Sequence, residues 1–304
     1  MRYTIKQFQK DFPSDDTCLE YIFKARFGNN PICPICKKAG SFYRVKKRKT
    51  YTCSCGYQVS PTTNTIFHKS STSLVNWFFA IYLMSTAKNG VSAKEIQRYT
   101  DVTYKTAWRM ANKIRGLMNQ DESMLEGIVE IDEMYVGGNP RRNLRKRYIK
   151  KTPVIGVVAR NGKAKAVVVE EADTRSALKL LKDNVKVGST ITSDGSYLYR
   201  NKLEKLGFKH STVKHSENEY VRGDVYTNNI EQLWGQIKNS IRGTYHSVSS
   251  KYLQTYVDEF VYQYNHRSLK TSSLFESLIS RLGEPHALKV NGSVSLKLRK
   301  GVLS

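Results

Sequence analysis

Acidic residues are scarce in this 304-residue chain: 26 Asp and Glu face 50 Lys and Arg, a formal net charge of +24. Beyond Glu284 there are none, so residues 276–304 read as a basic, poorly ordered tail. Such an imbalance speaks about partners rather than fold, and the commonest polyanionic partner is nucleic acid. The other polyanion, an anionic membrane surface, has less in its favour. The longest apolar run, Trp77 to Met84, is far too short to span a bilayer, and no basic-then-apolar leader opens the chain. The expectation is an intracellular nucleic-acid-binding protein with no membrane partner and no small-molecule substrate.

Cysteine is also sparse. Five residues, an odd number, argue against a disulfide framework. Four of them fall into two close pairs: Cys33 and Cys36, then sixteen residues, then Cys53 and Cys55. Each pair can offer two thiolates from one tight turn, and the intervening segment suits a β-hairpin. The spacing suits one tetrahedral structural zinc ion, a zinc ribbon over residues 1–70. The alternative is four unrelated buried thiols, and the second pair is C-x-C where C-x2-C is commoner. Cys18 stands apart. Between the pairs, Arg44 to Lys49 holds five basic residues in six, a phosphate contact or a merely solvated loop.

Internal repeats are absent too, and the rest divides by periodicity. Apolar residues at 39% and aromatics at 11% are ample for a globular core. Residues 71–120 read as helices, the first capped by Ser73 and stopping before Asn89-Gly90. Two short helices follow, Ser92 to Tyr99 and Thr103 to Met118. In the second, Ala107, Met110, Ala111, Ile114, Leu117 and Met118 form a core stripe. Lys105, Arg109 and Asn112 then take the opposite face. A short helix, a tight turn and a helix with a basic outer face is a helix-turn-helix layout, although any antiparallel helix pair gives a similar pattern.

From Leu125 the pattern changes to strands. Val129 to Gly138, VEIDEMYVGG, sets Glu130, Asp132 and Glu133 into a strand, Glu130 and Asp132 on one face and Glu133 on the other. Buried charge needs a partner, and no cation is near in sequence. A stretch with seven basic residues in eleven follows, making Arg141, Arg142, Arg145, Lys146 and Arg147 candidate DNA contacts. Then come a hairpin through Asn161-Gly162, a helix, a strand ending at Asp194, a helix near 198–206, a strand and closing helices. This order is that of a ribonuclease H-like α/β fold over 125–275, a mixed sheet with flanking helices.

In that fold one carboxylate lies mid-way along the first strand, a second at the end of the fourth, and a third on a later helix. Asp132, Asp194 and Glu231 occupy those places, with 61 and 36 residues between them. The segments EIDEMYVGG, SDGSYLY and TNNIEQLWGQIKNSIRG, with the zinc ribbon and NTIFHKS, resemble bacterial insertion-sequence DDE transposases of the ISXO-like group. The similarity runs over roughly residues 10 to 275.

The resemblance implies cleavage and joining of DNA ends, two Mg²⁺ (or Mn²⁺) ions held by Asp132, Asp194 and Glu231, and binding to terminal inverted repeats. It further implies a homo-oligomer on double-stranded DNA in the cytoplasm, associated with the nucleoid. Lys238, seven residues after Glu231, and His215 match family positions and are candidate contacts to DNA at the catalytic site. Family members often carry histidine where this chain has Tyr226. Trp234 is expected in the core rather than as a base-stacking platform. Two other functions compete: a zinc-ribbon and helix-turn-helix regulator, which leaves the carboxylates unexplained, and a nuclease of the same fold that does not join.

Overall fold

Several helix starts in this chain are set by side chains that accept from the backbone. The computed structural model describes residues 3–137, 151–160, 162–193, 202–212 and 228–283. Within it Ser14, Ser73, Ser92, Thr103 and Asp173 each accept a hydrogen bond from the amide three residues on. These caps satisfy donors the first helical turn leaves unpaired. They open α2 (Asp15–Phe27), α3 (Leu74–Thr86), α4 (Ala93–Thr100), α5 (Tyr104–Arg115) and α6 (Thr174–Asn184). Before them lies α1 (Ile5–Asp11).

The turn between α4 and α5 is made by Asp101 in the left-handed conformation, φ 50° and ψ 32°. Aspartate tolerates this region better than most side chains. A three-stranded antiparallel sheet, β1 (Phe42–Arg44), β2 (Tyr51–Cys53) and β3 (Gln58–Val59), carries the cysteines.

The first hydrophobic core joins these parts. Phe8, Leu19, Ile22, Tyr51, Phe67, Trp77, Phe78, Met110 and Ile114 are buried together. Residues 1–70 and 71–120 therefore share one interior. The chain returns to it far downstream: Phe275, Leu278, Ile279 and Leu282 from α9 (Thr271–Ser280) and the turn behind it are in the same core. The expected tail from 276 is thus corrected at its start, because residues 276–283 form helix and three apolar side chains there are buried. Residues 284–304 lie outside the described residues.

The second sheet has five strands: β4 (Ile128–Val136), β5 (Thr152–Ala159), β6 (Ala164–Val168), β7 (Thr190–Ser193) and β8 (Lys209–Thr212). Their order is β6-β5-β4-β7-β8. The first three pair antiparallel, whereas β7 runs parallel to β4 and β8 parallel to β7. This is the ribonuclease H-like arrangement, with the first strand of the unit at its centre.

Side-chain alternation on β4 divides the interior in two. Met134 and Val136 pack with α7 (Asn228–Ser240) and α8 (Leu253–Asn265), while Val129 and Ile131 pack with α6 on the other face. Among the described residues no helix is long and apolar enough to cross a membrane.

Candidate active site and cysteine cluster

The cysteine site follows from two turns. Cys33 and Lys37 close the first through a backbone hydrogen bond of 3.0 Å, with Lys37 at φ 59°. Cys53 and Gly56 close the second at 2.9 Å, and the φ of +90° at Gly56 is one that favours glycine. The four Sγ atoms lie within 4.8 Å of one another, Cys33 to Cys55 at 3.7 Å and Cys36 to Cys53 at 3.5 Å. A tetrahedron with Zn–S of ~2.3 Å needs edges of ~3.8 Å, so the thiols fit a zinc ion. The Cys53 thiol is held down to about 6, first by the Cys55 backbone amide and then by the Ser41 hydroxyl, 3.0 Å away. Donors aimed at that sulfur favour the thiolate a metal requires.

The carboxylates of β4 are handled differently from one another. Glu130 is fully buried and accepts from the Asn229 amide at 2.9 Å, the Ile230 amide at 3.0 Å and Asn229 Nδ2 at 2.7 Å. It therefore caps the first turn of α7, where amide donors and the helix dipole favour an anion. Arg160 Nε, 3.7 Å away, adds a cation distant in sequence. Glu130 is thus an anchor joining α7 to the central strand. Glu133 is half-buried and alternates onto the α6 face of the sheet.

Asp132, two residues on, shares the α7 face with Glu130. Its Oδ2 accepts from Trp234 Nε1 at 3.0 Å. Trp234 belongs to the core, as the sequence suggests, and is also polar-bonded to the candidate catalytic strand. Opposite Asp132 in the β4–β5 ladder stands Gly156. A Cβ there would lie 2.4 Å from Trp234 Cη2, so the indole rests directly on the backbone of β5.

Glu231 lies one helical turn before Trp234 and is exposed, while Ile230, Leu233, Trp234 and Ile237 face the core. Lys238 is exposed two turns further along the same face. A strand carboxylate and a helix carboxylate are brought to one side of the sheet, and their hard oxygen donors suit Mg²⁺ or Mn²⁺. Asp194 follows the last described residue of β7 and lies outside the described residues, as do His215, Tyr226, Arg141, Arg142, Arg145, Lys146 and Arg147.

On α5, Lys105 and Arg109 are exposed. Asn112 is half-buried and its Oδ1 has no hydrogen-bond partner. It follows Trp108 by one turn, and Trp108 packs edge-on against Tyr252 at the start of α8, ring centroids 5.1 Å apart. Sequence reasoning missed Glu130 as a helix anchor and the Trp234–Asp132–Gly156 contact. A glycine interrupting the apolar run VIGVV was the available signal, since strand glycine often marks close approach.

Two family models match the chain: the ISXO2-like transposase domain over residues 124–265, and the transposase zinc-ribbon domain over residues 13–58. A protein of Halobacterium salinarum described as an uncharacterized protein in transposable element ISH50 is 30% identical over 244 residues, which cover 73% of this chain and 81% of the relative. Solved structures match more distantly. The Mos1 strand transfer complex aligns at 11% identity with a TM-score of 0.30, covering 65% of this chain and 74% of that one. A simian T-cell lymphotropic virus intasome aligns at 10% identity and TM-score 0.30, covering 58% and 66%.

Proposed function

The chain belongs to the ISXO2-like transposase family, and from that premise we propose that it binds the terminal inverted repeats of an insertion sequence, cleaves there and joins the ends to target DNA. The observation that carries the proposal is the pairing of Asp132 on the central strand with the helix that bears Glu231. Asp194 completes the set. The pairing Glu130↔Thr192 supports this, because positions 132 and 194 are each two residues further along the chain.

Two divalent ions, when bound, polarise the scissile phosphate and lower the pKa of the attacking water. Asp132, Asp194 and Glu231 would hold those ions through their carboxylate oxygens. In the first step a water oxygen bonds to phosphorus and the P–O3′ bond breaks, freeing a 3′-hydroxyl. In the second, that 3′-oxygen bonds to a target phosphorus and displaces the target's own 3′-oxygen. No covalent protein intermediate is needed. Lys238, two turns beyond Glu231, and His215 contact phosphates near the cut.

Lys105, Arg109 and Asn112, with the basic residues at 141–147, hold the duplex, the exposure of Lys105 and Arg109 supporting their part. Two element ends must meet, so the active species is a homo-oligomer on DNA. The units are a zinc ribbon (1–70), a helix-turn-helix region (71–120) and a catalytic unit (125–275).

The test is a cleavage and joining assay on labelled duplex carrying the repeats that flank the gene, with Mg²⁺, comparing wild type with Asp194→Asn. Metal-dependent nicking that leaves a 3′-hydroxyl and yields joined product, lost in the variant, is expected. Binding without cleavage points to a regulator; cleavage without joining points to a nuclease.

A further inference from the structure

We propose that Trp234 is a positioning residue for the metal-binding carboxylate of Asp132, and that Gly156 exists at its place to seat it. The inference rests on the reading of Asp132 as a metal ligand and deepens it. An indole buried in an apolar cluster needs an acceptor for its one N–H. Of the surroundings of Trp234, which is 3% exposed and packed among Leu233, Ile237 and Phe260, the donor is aimed at Asp132 Oδ2 at 3.0 Å. Any apolar side chain would fill this volume, but only a donor at this height engages the carboxylate.

The seat is specific as well. Gly156 faces Asp132 across the β4–β5 ladder, and an added Cβ would come within 2.8 Å of Trp234 Cζ2 and 2.4 Å of Cη2. The Cζ2–Cη2 edge of the ring comes up against the strand because that strand has no side chain there. A glycine in the middle of a buried strand weakens the strand and is retained where another group must approach closely. Three residues from three elements thus fix one torsion, the orientation of the Asp132 carboxylate. Glu130 holds the same helix at its first turn, so α7 cannot slide to relax the contact.

Outer groups that hydrogen-bond a metal ligand typically change metal affinity ~10–100-fold when removed. The experiment is Mn²⁺ titration of the full, zinc-loaded chain, with free Mn²⁺ read by electron paramagnetic resonance, in wild type, Asp132→Asn, Trp234→Phe and Gly156→Ala. Wild type should show a site that Asp132→Asn abolishes. Trp234→Phe keeps the ring and loses the donor; it should weaken that site by roughly tenfold or more while the circular dichroism spectrum stays native. Gly156→Ala, which keeps the donor but displaces the ring, should weaken it in the same sense. Wild-type affinity in a folded Trp234→Phe overturns the positioning role and leaves the metal reading intact. No Asp132-dependent site in wild type overturns both.

Discussion

Arg115 of α5 and Glu259 of α8 meet at 2.8 Å with almost no exposure, 2% and 0% of their side-chain surface. The pair stands 144 residues apart in sequence and ties the helical N-terminal region to the helices of the five-stranded sheet. Burying both charges is costly, and the surroundings offset it: Tyr245 donates to the same Glu259 oxygen at 2.9 Å, and the guanidinium lies 4.0 Å over the Tyr256 ring. Tyr245 sits in a π-turn directly after α7, so the cluster links α5 to the helix of Glu231.

Removing one partner strands the other. Glu259→Ala should destabilise the chain by about 3–5 kcal/mol, read by urea denaturation. The double variant Arg115→Met with Glu259→Leu should recover most of that loss, because no unpaired charge remains buried. A single variant as stable as wild type would show that the pair is not coupled to folding.

Asp258 gives a pH-dependent prediction. Burial pushes its carboxyl up to about 6, against the hydrogen bonds it accepts from Gln120 and Gln254 at 2.7 and 2.8 Å. Its pKa in the unfolded chain is near 3.8. Between these values the folded chain binds more protons than the unfolded one, so this group's contribution to stability is full below about 4 and falls as pH rises through about 6. Replacing it by Asn removes that dependence. Relative to wild type, Asp258→Asn should therefore gain up to about 3 kcal/mol between pH 4 and pH 7 in equilibrium unfolding. A constant difference across that range would contradict the assignment.

Zinc removal should be felt beyond the ribbon. Tyr51 of β2 stacks on Phe23 of α2 at 4.0 Å, and both belong to the first core. One zinc per chain is expected by metal analysis of the purified protein. Cys36→Ser should lose it and lower the thermal midpoint of the helices that share this core, measured by circular dichroism. A chain that purifies with its fold intact and no zinc would contradict the cysteine site.

Local features were readable from the chain alone. Ser73, Ser92 and Thr103 announce helix starts and do cap them, and the alternation at 129–136 separates Asp132 from Glu133 as observed. The two cysteine pairs converge because each lies on a turn whose chemistry is local. What was not readable depends on contacts across about a hundred residues. Glu130 meets Ile230, and Asp132 meets Trp234, only after β4 and α7 are packed. Likewise, nothing in the periodicity of 271–282 says that this helix returns to the core begun by Phe8 and Phe78. Amphipathic pattern tells which face is buried, and topology decides against what.

In the proposed mechanism the carboxylates at this face of the sheet ligate the divalent ions the reaction needs. Glu231→Cys tests it most directly, since the residue is exposed and its replacement leaves the core of α7 untouched. Thiolate is a poor ligand for Mg²⁺ and a better one for softer ions. Cleavage of repeat-bearing duplex by this variant should be lost in Mg²⁺ and restored, in part, in Mn²⁺. Full activity in Mg²⁺, or equal loss in both ions from a folded protein, would contradict it.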